Sequence, residues 1–326
     1  MRLLIVTQTV DSGDPILGFF HRWIEEFAKH TERIEVICLR EGFHALPANV
    51  RVHSLGKERG AAGRATYALH FLSLVWRLRH DYDAVFVHMN PEYVVLAGPL
   101  WRLWGKHIAL WYTHKSVNLT LRMAVFFAHT VFTASAESFR LRTGKLRVMG
   151  HGIDTDFFSP DPSVSRGITI LSAGRLSPIK HHDLVIRAAE HFPNDVRIAG
   201  DGSERQHLKN LAEHLSVASR VHVLGSQTQE QLREEYRHAS VFVHASETGS
   251  LDKVVLEALA CGLPVITTSA SLKNLPVTVV SATPDAVAKA VVSVRGANAQ
   301  SLVTYVRKHH SLQHLIPTIL KDMQNI

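Results

Sequence analysis

Two basic residues five positions apart in ILSAGRLSPIKHHDLVIRA, residues 170–188, are the first candidates for chemistry. An apolar run ends at Ala173, Gly174 permits a tight turn, and Arg175 and Lys180 flank a loop that opens a helical pattern near His181. A guanidinium fork, an ammonium and unpaired backbone N–H groups at a helix start suit a diphosphate. Taken alone, the same two residues also read as solvated loop cations. IAGDGSERQHL, residues 198–208, repeats the arrangement with Gly200 and Gly202, and Ser203 is placed to cap the helix that follows. RVHVLGSQTQEQL, residues 220–232, is a third instance, with Gly225 after the apolar run. Three such loops along one sheet edge outline a nucleotide pocket.

A fourth segment, TGSLDKVVLEALACGLPVIT (248–267), carries one residue out of character. Glu257 lies among Val254, Val255, Leu256, Ala258, Leu259 and Ala260. A carboxylate left unpaired in such surroundings costs several kcal/mol, roughly, so it requires a partner or a wet face. Lys253, four residues earlier on the same helix face, supplies one answer. The other is that the helix faces a ligand whose ribose hydroxyls bond the carboxylate. Asp252 is placed as the N-cap, and Gly262 and Pro264 end the helix. Gly249, Ser250 and Leu251 then offer backbone N–H groups at the positive end of the helix dipole.

The elements that must hold these residues alternate in type along the chain. In the first half, apolar strand runs are expected at 3–7, 34–39, 50–55, 84–88, 108–112, 131–134 and 146–149. Helical patterns fill the gaps at 19–30, 64–79, 92–104 and 119–127. GIDTDFFSPDPSVSRG, rich in Gly, Pro, Ser and Asp, has no period and reads as a linker over 152–167. Strands resume at 168–173, 196–200, 221–224, 241–244 and 264–268. The expected class is α/β, with two doubly wound Rossmann-like domains facing a cleft: 1–151, then 168–300, then a helical tail over 301–326 that could pack back on the first domain. Ligands of such sheets bind at the carboxyl ends of the strands.

Bulk properties narrow the function classes. With 326 residues, 46% hydrophobic and 20% charged, the chain has the composition of a globular protein able to build two cores. The net charge of +7 invites an anionic partner, but there is no basic block, so nucleic acid is not expected. The 22 histidines form no metal-ligand pattern, and no metal is expected. Cys38 and Cys261 form no CxxC pair, no apolar run reaches the ~20 residues of a membrane span, and MRLLIVTQT is too short for a signal peptide. A cytoplasmic location is expected. Helix 64–79 and PLWRLWGKH (99–107) combine Trp with basic residues, which suits either crossover helices covering the sheet or attachment to an anionic leaflet.

In order, AGRLSPIK, IAGDG, VHVLG and DKVVLEALACGLPVI resemble the donor-binding domain of glycosyltransferase family 4, the "glycosyl transferases group 1". GHGIDTDFF, residues 150–158, resembles that family's interdomain stretch, and the likeness is strong over about 130–270 and weak before it. The resemblance implies a GT-B fold and a retaining, metal-independent transferase taking a nucleotide-sugar donor. It implies that Arg175 and Lys180 hold the diphosphate and stabilise it as it leaves, that Glu257 binds the ribose, and that Leu224 and Gly225 lie against the base. It also points to the loop containing Gly13 and Gly18 as a phosphate contact, and to His114, with His88 second, near the donor sugar. The family pattern has two glutamates separated by seven residues, the first of which would fall at Gly249; Glu247 and Asp252 are the neighbouring carboxylates that could stand in. The acceptor implied is a glycan or a lipid-linked molecule of envelope polysaccharide or glycolipid synthesis, with peripheral membrane attachment compatible with the charge. The alternatives are a GT-B sugar-nucleotide epimerase or hydrolase, and a membrane- or polyanion-binding module that has lost catalysis. No GxGxxG follows an early strand, which disfavours a dinucleotide oxidoreductase.

Overall fold

The computed structural model describes residues 1–60, 63–247, 249, 251–294 and 298–324. Two compact units emerge: Met1–Gly152 with Leu312–Ile326, and Ile153–Ser311. The first contains β1 (Arg2–Val10), α1 (Phe19–Lys29), β2 (Arg33–Glu41), β3 (Val50–Ser54), α2 (Arg64–Arg77), β4 (Ala84–His88), α3 (Pro91–Leu103), β5 (His107–Trp111), α4 (Leu119–Phe127), β6 (Thr130–Thr133) and β7 (Leu146–Val148). Its strands pair in parallel in the order β3-β2-β1-β4-β5-β6-β7.

Strand parity explains why both faces of this sheet are covered. Leu3, Ile5, Phe86 and Trp111 point to one face, where α1 lies; Leu4, Val6, Val85, Val87 and Leu110 point to the other, beneath α2, α3 and α4. A parallel sheet buried on both faces reads as unbroken apolar runs, which is how these strands look in the sequence.

The second unit contains β8 (Ile170–Ala173), α5 (His182–Ala188), β9 (Val196–Ala199), α6 (Arg205–His214), β10 (Val221–Gly225), α7 (Gln229–His238), β11 (Val241–His244), α8 (Lys253–Ala260), β12 (Val265–Thr267), β13 (Thr278–Val279), α9 (Pro284–Ser293) and α10 (Ala299–His310). The sheet order is β10-β9-β8-β11-β12-β13, all parallel. The chain direction across the sheet reverses between β8 and β11, so the loops leaving these two strands diverge and open a crevice at their carboxyl ends.

Three stretches differ from the sequence reading. The expected linker is packed: Ile153, Thr155 and Phe158 are buried in the second unit, because GIDTDFF carries apolar anchors that an aperiodic Gly/Asp stretch conceals. The C-terminal stretch is two helices with different neighbours. Helix α10 packs on α8, whereas α11 (Leu312–Gln324) buries Leu315, Ile316, Ile319 and Met323 against α1 in the first unit. The two-residue strand β13 carries too little periodicity to be read from sequence.

Candidate active site

The three glycine loops of the second unit are knitted to one another. Gly174 N–H donates to Ala199 O (2.9 Å), Gly200 N–H to Gly225 O (2.8 Å), and Leu176 N–H to Asp201 O (3.0 Å). Gly202 N–H is taken by the Asp201 carboxylate at 2.8 Å. A Cβ at Gly200 would lie 1.9 Å from Gly174 O, and one at Gly202 2.3 Å from Leu176 O, with both residues at φ values that favour glycine. These glycines therefore allow the loops to close on each other. Their N–H groups are spent within this platform, which lies at the carboxyl ends of β8, β9 and β10. Leu224 is half-buried and Gly225 buried, with the Arg205 guanidinium 3.5 Å from where a Gly225 Cβ would stand. Arg205, held by Asp201 at 2.7 Å, is a further cation at this edge, one that the loop motifs do not single out.

At the crevice between β8 and β11 the chain assembles a charged cluster. Lys180 ends the 3-10 turn Pro178–Lys180 and places Nζ 2.6 Å from Asp252 Oδ2. The same oxygen lies 2.9 Å from His244 Nε2, at the end of β11. His244 Nδ1 lies 2.9 Å from Thr267 Oγ1 at the end of β12, and Thr267 Oγ1 accepts the N–H of Ser269 at 3.1 Å. A carboxylate only accepts, so His244 Nε2 carries a proton directed at Asp252. Burial by itself would raise the Asp252 carboxyl. The hydrogen bond from His244 and the charge of Lys180 outweigh it and hold the group far below the usual carboxylate range. Asp252 occupies the N-cap position of α8, but its side chain makes no capping bond, being turned to Lys180 and His244 instead.

Beneath the loop, His182 is buried, with Nδ1 3.1 Å from Ser172 Oγ and Nε2 beside Gly174 and without a hydrogen-bond partner among the described residues. Burial, then the Lys180 and His244 charges, push it down to about 4, so it is neutral at pH 7. Arg175 is exposed, and among the described residues its side chain has no hydrogen bond or ion pair. The structure thus joins Lys180 to Asp252 and His244 but leaves Arg175 reaching into solvent from the same loop.

Glu257 is 5% exposed. Tyr236 on α7 donates its hydroxyl to Oε2 at 3.2 Å, and burial raises the carboxyl against the lowering effect of Lys253 and that bond. Of the partners expected from the sequence, Lys253 acts on the carboxyl through its charge, and the Tyr236 hydroxyl adds a hydrogen bond from another helix. Tyr236 is the buried residue of a strongly polar helix, a signal that was legible in QEQLREEYRH.

The carboxylates beside Gly249 are engaged. Glu247 is exposed and lies 3.2 Å from His181 Nε2, while Asp252 serves the cluster above. Gly249 has φ +59°, a conformation in which a glutamate would be strained. Leu251 packs against the core under α8. Ser250 lies outside the described residues. Ser203 is not the cap of α6; Glu204 holds that position.

In the first unit, Gly13 is exposed and Gly18 is buried at the start of α1. The backbone N–H groups of Ile16 and Leu17 bond Asp14 Oδ1 at 2.9 and 2.8 Å, and Asp14 pairs with Arg40. An internal carboxylate thus takes the donors that the resemblance assigns to a phosphate. His114 is exposed, and its Nδ1 accepts the N–H of Ser116 at 3.0 Å. His88 is buried, stacked on Phe20 at 4.0 Å with Nδ1 3.4 Å from Thr7 Oγ1, a residue of the core.

Comparison with known proteins identifies the architecture. Residues 155–312 match the family described as "Glycosyl transferases group 1". The D-inositol 3-phosphate glycosyltransferase of Mycobacteroides abscessus is 36% identical over 151 residues, 41% of this chain and 33% of that protein. That of Mycolicibacterium smegmatis is 33% identical over 150 residues, again 41% and 34%. The chain thus spans about a third of the length of the curated relatives it matches. Among solved structures, Anabaena HepE in complex with UDP and glucose superposes over all of both chains, with a TM-score of 0.78 at 17% identity. WaaG, a glycosyltransferase involved in lipopolysaccharide biosynthesis, superposes over all of both chains at 0.72 and 14%. The matched region is nearly the second unit, which holds the Lys180 cluster; this region carries the glycosyl transferases group 1 pattern, and the chain shares the GT-B fold of these solved structures.

Proposed function

We propose that this protein is a retaining glycosyltransferase that moves a sugar from a nucleotide-sugar donor to a glycan or lipid-linked acceptor on the cytoplasmic side, in the synthesis of envelope polysaccharide or glycolipid. The observation that carries the reading is the position of Lys180: a cation at the crevice between β8 and β11, beside the exposed Arg175 on one loop, inside the family-matching region. Relatives support the donor class. HepE is described in complex with UDP-glucose, and the pneumococcal transferase GtfA with UDP and GlcNAc.

In this reading the bond between the anomeric carbon and the diphosphate oxygen breaks while the acceptor oxygen bonds that carbon on the same face. The leaving diphosphate takes the acceptor's proton. Negative charge grows on the diphosphate, and Arg175 and Lys180 stabilise it there without a metal ion, each worth on the order of one oxyanion donor. Glu257 would bond the ribose only by sharing or exchanging its Tyr236 hydrogen bond, and the backbone at Leu224 and Gly225 would face the base. In the first unit, His114 and the Gly13–Gly18 loop are the candidate contacts for the sugar and the phosphates. Recognition of the sugar departs from the family pattern, because Gly249 has no carboxylate and its neighbours are committed elsewhere.

The test is nucleotide release from UDP-, GDP- and ADP-sugars with and without acceptor. Acceptor-dependent release, reduced about a hundredfold or more in Lys180→Ala and Arg175→Ala, is expected. Release that ignores the acceptor indicates a hydrolase, and an inverted anomeric configuration by NMR overturns the retaining mechanism.

A further inference from the structure

Helices α2, α3 and α4 cover one face of the first sheet, with α3 packed against both of the others. Each buries one apolar stripe and exposes a second. On α2 the outward residues are Leu69 (70% exposed) and Trp76 (53%), seven apart; on α3, Leu103 (80%); on α4, Leu119 (72%), Met123 and Phe126 (73%), at i, i+4 and i+7. A crossover helix needs only one apolar stripe to cover its sheet, so the second stripe is unexplained by the fold.

The charge around these stripes is mainly positive; Asp81 and Asp83, in the turn after α2, are paired with Arg33 and Arg2. Arg77 and Arg79 stand at the end of α2, Arg102 at the end of α3 and Arg122 on α4. The sole acid on the three helices is Glu92, in the first turn of α3, about 16 Å along the axis from Leu103. The helix ends are tied together. Trp76 and Trp104 meet edge to face at 5.6 Å, Arg79 lies over Trp76 at 4.7 Å, and Arg102 Nε donates to Phe127 O at 2.7 Å. All three helices return along a parallel sheet, so these ends gather at the edge opposite the carboxyl ends of the strands.

We propose that this aromatic and basic edge of the α2–α4 layer is a docking surface for an anionic lipid bilayer. Separate apolar side chains flanked by arginines, with tryptophan at the boundary, suit a fluid interface that needs no complementary shape. No helix among the described residues is long and apolar enough to cross a membrane. The proposal is independent of the transferase reading, since its test measures binding alone.

The experiment is co-sedimentation of the full chain with vesicles of phosphatidylcholine, alone or mixed with phosphatidylglycerol. Binding to the mixed vesicles is expected, weakening as salt is raised. Leu103→Gln/Phe126→Gln should lower partition on the order of tenfold or more without changing the melting temperature. Arg77→Gln/Arg122→Gln should remove most of the preference for anionic lipid. Quenching of tryptophan fluorescence by brominated lipid should fall in Trp76→Phe. Absence of binding to anionic vesicles at low salt, or unchanged binding in the Leu103/Phe126 variant, overturns the proposal. A dimer that this variant dissolves would also overturn it, assigning the face to a second copy.

Discussion

Replacing Asp252 by asparagine should move folding and nucleotide binding in opposite directions. In the resting protein Lys180 is neutralised by a carboxylate 2.6 Å away, with side-chain exposures of 19% and 15% for the pair. A diphosphate reaching Lys180 meets that carboxylate as well. At an effective dielectric near 20, one phosphate charge about 5 Å from the Asp252 oxygens is repelled by about 3 kcal/mol. Salt and the open side of the crevice reduce the net effect to about 1–2 kcal/mol. Asp252→Asn should therefore bind UDP and inorganic pyrophosphate about tenfold more tightly. The same change removes the carboxylate that accepts from both Lys180 and His244, so the ligand-free protein should lose about 1.5–3 kcal/mol of stability. Calorimetric titration with each ligand, beside denaturant unfolding of the ligand-free protein, reads the two effects. Weaker binding in a folded Asp252→Asn would refute the argument and make Asp252 a group that positions Lys180. Unchanged binding would mean that the diphosphate does not approach Lys180; Lys180→Ala, which should then keep its affinity but lose it if Asp252 positions Lys180 on the ligand, separates these outcomes.

Acid should destabilise the protein well above the carboxylate range. His182, His129 and His310 are each pushed down to about 4, burial being the largest cause, whereas an unfolded histidine titrates near 6.5. Depressed folded values mean that their stability contribution is complete above pH 6.5 and is lost progressively as pH falls toward 4. Melting temperatures between pH 7.5 and 4.5 should fall, with a shallower slope in His182→Gln; a flat profile would contradict the buried neutral imidazoles. Gly200→Ala should be poorly folded, since its Cβ would meet Gly174 O at 1.9 Å, whereas Gly63→Ala, whose nearest neighbour is the Thr66 hydroxyl at 4.0 Å, should melt within a few degrees of the parent. Equal melting of the two would refute the account of the loop platform.

Much of the architecture was legible because its signals are local. The runs at 84–88 and 241–244 coincide with β4 and β11, and the helix expected at 119–127 is α4. Unbroken apolar runs separated by amphipathic helices leave little besides parallel sheets covered on both faces. The Gly–basic loops also marked the strand ends correctly, since turn chemistry is written in adjacent residues. Less visible were contacts between residues distant along the chain. The packing of Ile153 and Phe158 was hidden in a stretch without period. The divided allegiance of α10 and α11 depends on which core each apolar stripe meets, which the stripes themselves do not encode.

The sequence by itself determined two α/β units, the order of their loops and the residue types able to meet a diphosphate. Tertiary structure alone decided what each of those residues touches. Lys180 and Asp252 are 72 positions apart, and Tyr236 and Glu257 are 21 apart. Each pair meets only because β8 lies next to β11 and α7 against α8. A charge's partner is set by distance in space, within a few ångströms, and the fold has to fix strand order and loop closure before that distance exists.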